Sequence, residues 1–100
     1  MLIHLENENK YDELISKGKV LVDFYATWCG PCNMLTPELE KLASEDESLK
    51  IIKVDVDEFP NIARRYRVMS IPTLLLFKDG KLVNSKLGYM PLVHLKEFIA

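Results

Sequence analysis

The sequence predicts an α/β fold: a mixed five-stranded β-sheet flanked by four α-helices. Three observations lead there. Apolar strand-like runs alternate with runs of helical spacing through the first part of the chain, which implies parallel strands joined by right-handed helical crossovers. Asp79-Gly80 stands between two further strand-like runs, a strong hairpin signal that adds an antiparallel pair. The chain then ends in one more amphipathic helical run. The order is βαβαβαββα in a single domain, 1–100, with the sheet between helical layers.

Leu2 to Leu5 makes a short first strand. Asn7 to Lys17 reads as a helix with Tyr11, Leu14 and Ile15 on its apolar face, closed by Gly18. Lys19 to Ala26 is apolar on both alternating faces, as expected of a central strand covered on each side. Asp23 breaks that pattern. A carboxylate there is costly unless paired, hydrated or protonated, and burial raises its pKa. Two readings stand: a proton acceptor for Cys32, since the strand leads directly to the cysteines, or a buried polar side chain satisfied locally.

The next helical run is Asn33 to Glu47. Leu35, Leu39 and Leu42 recur on one face, with Glu38, Lys41 and Glu45 opposite. Pro37 falls inside it, removes a backbone donor, and is expected to kink the helix. Lys50 to Val56 is a strand interrupted by Lys53. The spacing favours an exposed edge lysine over a partner for Asp23. Phe59 to Tyr66 is a shorter helix with Ile62, Ala63 and Tyr66 inward, followed by a solvated basic cluster of Arg64, Arg65 and Arg67.

Ser70-Ile71-Pro72-Thr73 leads into Leu74-Leu75-Leu76-Phe77, and proline is permitted at a strand start. Lys81 to Leu87 is the last strand. Gly88 after it marks a bulge or a close backbone approach. From Pro91 onward, Leu92, Leu95, Phe98 and Ile99 share one helical face that docks on the core.

The chemistry sits at Trp28-Cys29-Gly30-Pro31-Cys32, which holds both cysteines of the chain. The pair lies where a strand gives way to a helix, the context in which Cys-x-x-Cys reads as a redox motif. Cys29 is expected at the helix entrance, where free N–H groups and the helix dipole favour an anion. Cys32 lies about one turn further in and is more enclosed. A thiol of pKa about 8.5 is only about 3% ionised at neutral pH. Lowering that pKa by about 1.5 units takes roughly 2 kcal/mol, which a helix terminus with local hydrogen bonds can supply. Cys29 is therefore the expected nucleophile and Cys32 the resolving thiol. A static staple is the plainer alternative, but so short a loop constrains little chain entropy. A zinc site is another, yet His4 and His94, the only histidines, lack the paired spacing of a structural site.

Composition narrows the remaining classes. Hydrophobic residues make up 48% of the 100 residues, enough for a core without cross-links. A formal charge of −2, from 13 basic and 15 acidic residues, argues against nucleic acid or an anionic membrane as partner. The longest strongly apolar stretch, Ile71 to Phe77, is far too short to span a bilayer. The first residues, Met1-Leu2-Ile3-His4-Leu5-Glu6, do not read as a signal peptide, so the cytoplasm is the expected location. There a close cysteine pair is more often catalytic or metal-binding than structural. The glycines are too scattered for a dinucleotide fingerprint.

Taken together, these residues resemble the thioredoxin family. The resemblance is carried by Asp23-Phe24-Tyr25-Ala26-Thr27-Trp28-Cys29-Gly30-Pro31-Cys32, Pro37, Lys53-Val54-Asp55-Val56-Asp57, Ile71-Pro72-Thr73-Leu74-Leu75-Leu76-Phe77, Gly80 and Gly88. It covers nearly the whole chain and implies a thioredoxin fold. It implies a protein-disulfide reductase that contributes to cell redox homeostasis, with a redox-active Cys29–Cys32 disulfide. It implies that Asp23 is a buried carboxylate serving Cys32, with Lys53 near it, and that Ile71–Pro72 is a cis peptide facing the cysteines. Trp28, Gly30, Pro31, Ile71, Pro72 and Gly88 would form a shallow docking surface for an extended segment of a disulfide-containing client. No bound cofactor or metal is implied. Electrons would come from NADPH through a separate thioredoxin reductase, and the chain would act as a monomer. Three residues depart from the family pattern. Asn33 stands where a cation is usual, Tyr25 replaces a common Trp, and Tyr89 follows Gly88 where a smaller residue is common.

Overall fold

β2, Lys19–Tyr25, is the strand on which the fold is built, and every residue from Val20 to Phe24 is buried. Its β-branched and aromatic side chains suit a pleat covered on both faces. The computed structural model describes residues 1–100 and arranges five strands in the order β1-β3-β2-β4-β5. β1 (Leu2–His4) and β3 (Lys50–Asp55) run parallel to β2 on one side. β4 (Thr73–Lys78) lies antiparallel to β2 on the other, and β5 (Lys81–Leu87) is antiparallel to β4. The mixed five-stranded sheet with its four helices agrees with the fold class expected from the sequence.

Strand alternation assigns the two faces. Val20, Val22 and Phe24, with Ile52, Val54, Leu75 and Phe77, pack against Tyr11 and Ile15 of α1 (Tyr11–Ile15) and Ile62 and Ala63 of α3 (Pro60–Arg65). The intervening Leu21, with Ile51, Leu74 and Leu76, meets Leu35, Leu39 and Leu42 of α2 (Gly30–Glu45) and Leu95 and Ile99 of α4 (Leu92–Ile99). Each fully buried leucine contributes about 1.5–3 kcal/mol relative to exposure. The same alternation turns Asp23 and Lys53, paired in register on β2 and β3, toward the α2 and α4 layer. No helix is long and apolar enough to cross a membrane.

Several boundaries differ from the sequence expectation, each for a local reason. The run after Asn7 is not one helix. The Asn7 side chain accepts a hydrogen bond from the Asn9 N–H at 2.9 Å, which favours a 3-10 turn at Glu8–Lys10 before α1 begins. α2 starts at Gly30 rather than Asn33, because Cys29 caps it and Pro31 lies in the first turn, where a missing N–H costs nothing. It runs on as one helix through Pro37, whose ring nitrogen has no hydrogen for the Asn33 carbonyl. The irregularity in the β4–β5 ladder falls at Leu76/Phe77, where Val83 is the extra residue on β5. Gly88 instead makes a close backbone approach, its N–H donating to the Pro72 carbonyl at 2.8 Å with φ +90°. Asp79 and Gly80 both adopt positive φ, as a two-residue hairpin turn of the favoured hand requires.

Candidate active site

Cys29 and Cys32 are joined by a disulfide at the point where β2 has ended and α2 begins, with Cα atoms 5.2 Å apart. Cys29 is the N-cap residue. Its backbone is extended, and its Sγ accepts the Cys32 N–H at 3.3 Å. The sulfur therefore occupies the place where a serine or aspartate oxygen commonly satisfies a free helix N–H. Cys32 is the more enclosed of the two, at 1% exposure against 5%. Asn33 Nδ2 donates to the Thr27 carbonyl at 3.2 Å, tying the loop before the cysteines to the first turn of α2.

Ile71–Pro72 is a cis peptide, and the Ile71 carbonyl oxygen lies 3.9 Å from Cys29 Sγ. The Gly88 N–H bond to the Pro72 carbonyl ties this segment to the residue after β5. Trp28 is 71% exposed, yet its indole is held: Nε1 donates to Asp57 Oδ2 at 2.8 Å. Trp28 and Ile71, with Val56, Val68, Met69 and Ser70, line a shallow cavity of about 210 Å³. Gly30 and Pro31 are exposed at the start of α2, whereas Pro72 is buried. Of the six expected docking residues, Trp28 and Ile71 thus share one apolar concavity. Val68 and Met69 were not legible as part of it, because nothing in their spacing ties the loop after α3 to the cysteines.

On the sheet face that packs against α2 lies a buried pair, Asp23 and Lys53. Asp23 is fully buried, and neither carboxylate oxygen accepts a hydrogen bond from the protein. Burial pushes its carboxyl up from 3.8 to about 7, with the Lys53 ammonium pulling the other way. Lys53 is itself only 4% exposed, which corrects the spacing-based expectation of an edge lysine. The reason is topological: β1 pairs outside β3, so β3 is interior and Lys53 shares a face with Asp23. Lys53 Nζ lies 3.8 Å from Asp23 Oδ2 and 4.4 Å from the centre of the Tyr25 ring, and it donates to Thr36 Oγ1 at 2.8 Å. Thr36 Oγ1 in turn donates to the Cys32 carbonyl at 3.2 Å. Thr36 was missed from sequence, although it stands four residues beyond Cys32 and so on the same helical face.

A disulfide whose first sulfur caps a helix and lies beside a cis proline has the geometry of a thiol-exchange site. The model of the thioredoxin family matches residues 2–100. The chain belongs to the thioredoxin family. It is 48% identical over 100 residues to the thioredoxin of Staphylococcus haemolyticus, a match covering 99% of this chain and 96% of that one. It is 50% identical over 90 residues to a thioredoxin of Staphylococcus aureus, covering 89% and 86% of the two chains. Among solved structures, a mutant thioredoxin from Halobacterium salinarum superposes with a TM-score of 0.91 at 39% identity, covering 98% of this chain and 87% of the other. Mitochondrial thioredoxin 3 from Saccharomyces cerevisiae, in its oxidised form, gives 0.87 at 40% identity, covering 97% and 92%.

Thioredoxins are oxidoreductases that reduce disulfides of client proteins, and this family member carries the same redox-active pair in a thioredoxin fold. It is a protein-disulfide reductase acting by dithiol–disulfide exchange. No group of three or more His, Cys, Asp or Glu side chains gathers to hold a metal ion. Of the three departures from the family pattern, Asn33 now bonds backward to the loop, Tyr25 supplies the ring under Lys53, and Tyr89 is 40% exposed.

Proposed function

We propose that Cys29 is the nucleophile of the exchange and Cys32 the resolving thiol. The observation that carries this assignment is the position of Cys29 Sγ at the N-cap of α2, accepting the Cys32 N–H. In the reduced protein the same N–H and the dipole of a 16-residue helix would favour a thiolate at Cys29.

The Cys29 thiolate attacks one sulfur of a client disulfide. A Cys29–client bond forms, the client S–S bond breaks, and the first client sulfur leaves and is protonated. Asp23 takes the proton of the Cys32 thiol, and a carboxyl with pKa about 7 suits that transfer near neutral pH. The Cys32 thiolate then attacks Cys29 Sγ. The client's second sulfur leaves with the bonding pair, so the client gains two electrons and the Cys29–Cys32 disulfide forms. Lys53 tunes Asp23 from the neighbouring strand. Trp28, Gly30, Pro31, Ile71, Pro72 and Gly88 receive an extended client segment, with backbone groups beside Pro72 pairing in strand fashion.

Regeneration is assigned to a thioredoxin reductase drawing on NADPH, with this chain working as a monomer of one domain in the cytoplasm. Two cysteines devoted to one exchangeable pair accord with a reducing compartment. Trapping tests the division of labour. Cys32→Ser should accumulate covalent client complexes through Cys29, and Cys29→Ser should not. Equal trapping by both variants would reject the assignment.

A further inference from the structure

We propose that Thr36 is a positioning residue: its hydroxyl holds the Lys53 ammonium toward α2 and away from Asp23, and so sets how tightly Asp23 binds its proton. This rests on the reading above that Asp23 exchanges a proton with Cys32.

The distances carry the inference. Lys53 Nζ makes its short contact, 2.8 Å, with the neutral Thr36 hydroxyl, and stands 3.8 Å from the Asp23 carboxylate. Charge-assisted bonds from ammonium to carboxylate close to about 2.7–2.9 Å when nothing prevents it. In so buried a place the attraction is weakly screened and favours closure. When Asp23 is ionised, the 2.8 Å bond to Thr36 Oγ1 competes with that closure. Thr36 is suited to that competition. Its single hydroxyl proton is committed to the Cys32 carbonyl at 3.2 Å, which leaves the oxygen free to accept from Lys53. The Tyr25 ring face, 4.4 Å away, is a second hold on the cation.

The surroundings of Asp23 leave few other groups to set its proton affinity. On β3 it faces Lys53, and on its own strand the phenol of Tyr25 lies within electrostatic reach. β4 presents Leu74 opposite it, which carries no charge. α4 contributes Leu95 and Ile99 to this layer. α2 contributes Thr36 and Cys32, and Cys32 titrates only when reduced. The link also gives the resolving cysteine's own helical turn a mechanical hold on the buried cation. A shift of that turn would be passed to Lys53 through one hydroxyl.

Thr36→Val removes the oxygen at nearly constant volume. The Asp23 carboxyl is followed by carbon NMR through a pH titration of the oxidised protein. Its midpoint should fall by on the order of one unit as Lys53 turns to the carboxylate. Thr36→Ser should keep the parent midpoint. Thr36→Ala removes the same oxygen with less bulk and should repeat the fall. A midpoint that is unchanged or raised in both Thr36→Val and Thr36→Ala would overturn the proposal. Single-turnover reduction of a chromogenic aromatic disulfide, measured against pH, separates this from the role given to Asp23. A rate profile that moves down with the midpoint supports both. A midpoint that falls while the rate profile stays in place supports the hold exerted by Thr36 and refutes the role of Asp23 toward Cys32.

Discussion

Asp23 and Lys53 occupy matched positions on adjacent parallel strands, both out of water, with 3.8 Å between Oδ2 and Nζ. Their proximity does not hold the carboxyl at the ordinary aspartate value. Burial outweighs the lysine, and the Asp23 carboxyl rises from 3.8 to about 7. Breaking such a pair ordinarily leaves an uncompensated buried charge. Here Lys53 retains Thr36 Oγ1 and the Tyr25 ring when Asp23 is neutral.

The consequence is a pH-dependent cost. Between about pH 4 and 7 the folded protein keeps a proton on Asp23 that the unfolded chain releases. Stability contributed by this site therefore falls as pH rises through that window, and is flat above it. Asp23→Asn removes the ionisation. Urea unfolding of the oxidised protein should show the variant more stable than the parent at pH 8, by roughly 1–4 kcal/mol. The gain should vanish at pH 4. An equal gain at both pH values would mean that packing, not proton affinity, is responsible.

The arrangement that makes Asp23 consequential was only partly visible in the sequence. The residues of β2 after Lys19, apolar on both faces except at Asp23, mark a doubly covered strand, and Asp23 stands out against them. Lys53 does not, because its burial depends on a three-residue strand, β1, closing the far side of β3. Strand alternation gives a side chain's face but not whether its strand lies at an edge. The first turn of α2 lies outside the helical run that begins at Asn33, although the motif itself puts Cys29 at the helix entrance. Gly30 and Pro31 are poor interior helix formers, and only the Cys29 cap makes them a first turn. Cysteine as a cap, like the threonine bridge at Thr36, carries no strong pattern of its own. The hairpin at Asp79-Gly80 and the apolar faces of α2 and α4 were legible because local conformation and burial agree there.

Trp28 illustrates a large exposed side chain under restraint. Its indole bonds to Asp57 Oδ2 at 2.8 Å beside the apolar cavity. Asp57→Ala should free the ring while changing global stability by less than about 1 kcal/mol, as for other exposed polar contacts. The steady-state KM for a protein disulfide should rise several-fold, and indole fluorescence anisotropy should fall. An unchanged KM would remove Trp28 from the docking surface.

The Asp79-Gly80 turn lies at the opposite end of the sheet from the cysteines, since Lys19 at the start of β2 pairs with Lys78. Asp79 Oδ1 also accepts the Gly18 N–H at 2.8 Å. A methyl at Gly80 would meet Ser16 oxygen at an ordinary 3.5 Å, so the cost is conformational, from φ +83°. Gly80→Ala should lose about 1 kcal/mol of stability with turnover unchanged. Loss of activity at permissive temperature would show that the two ends of the sheet are coupled.

Activation of Cys29 by the helix it caps can be read directly by titrating both thiols in the reduced protein, using thiolate absorbance in the two single-serine variants. Cys29 should ionise about a unit or more below the free-thiol value near 8.5. Cys32, one turn inside and 1% exposed, should ionise well above Cys29. A Cys29 that titrates at or above the free-thiol value, or no lower than Cys32, would contradict the division between nucleophile and resolving thiol.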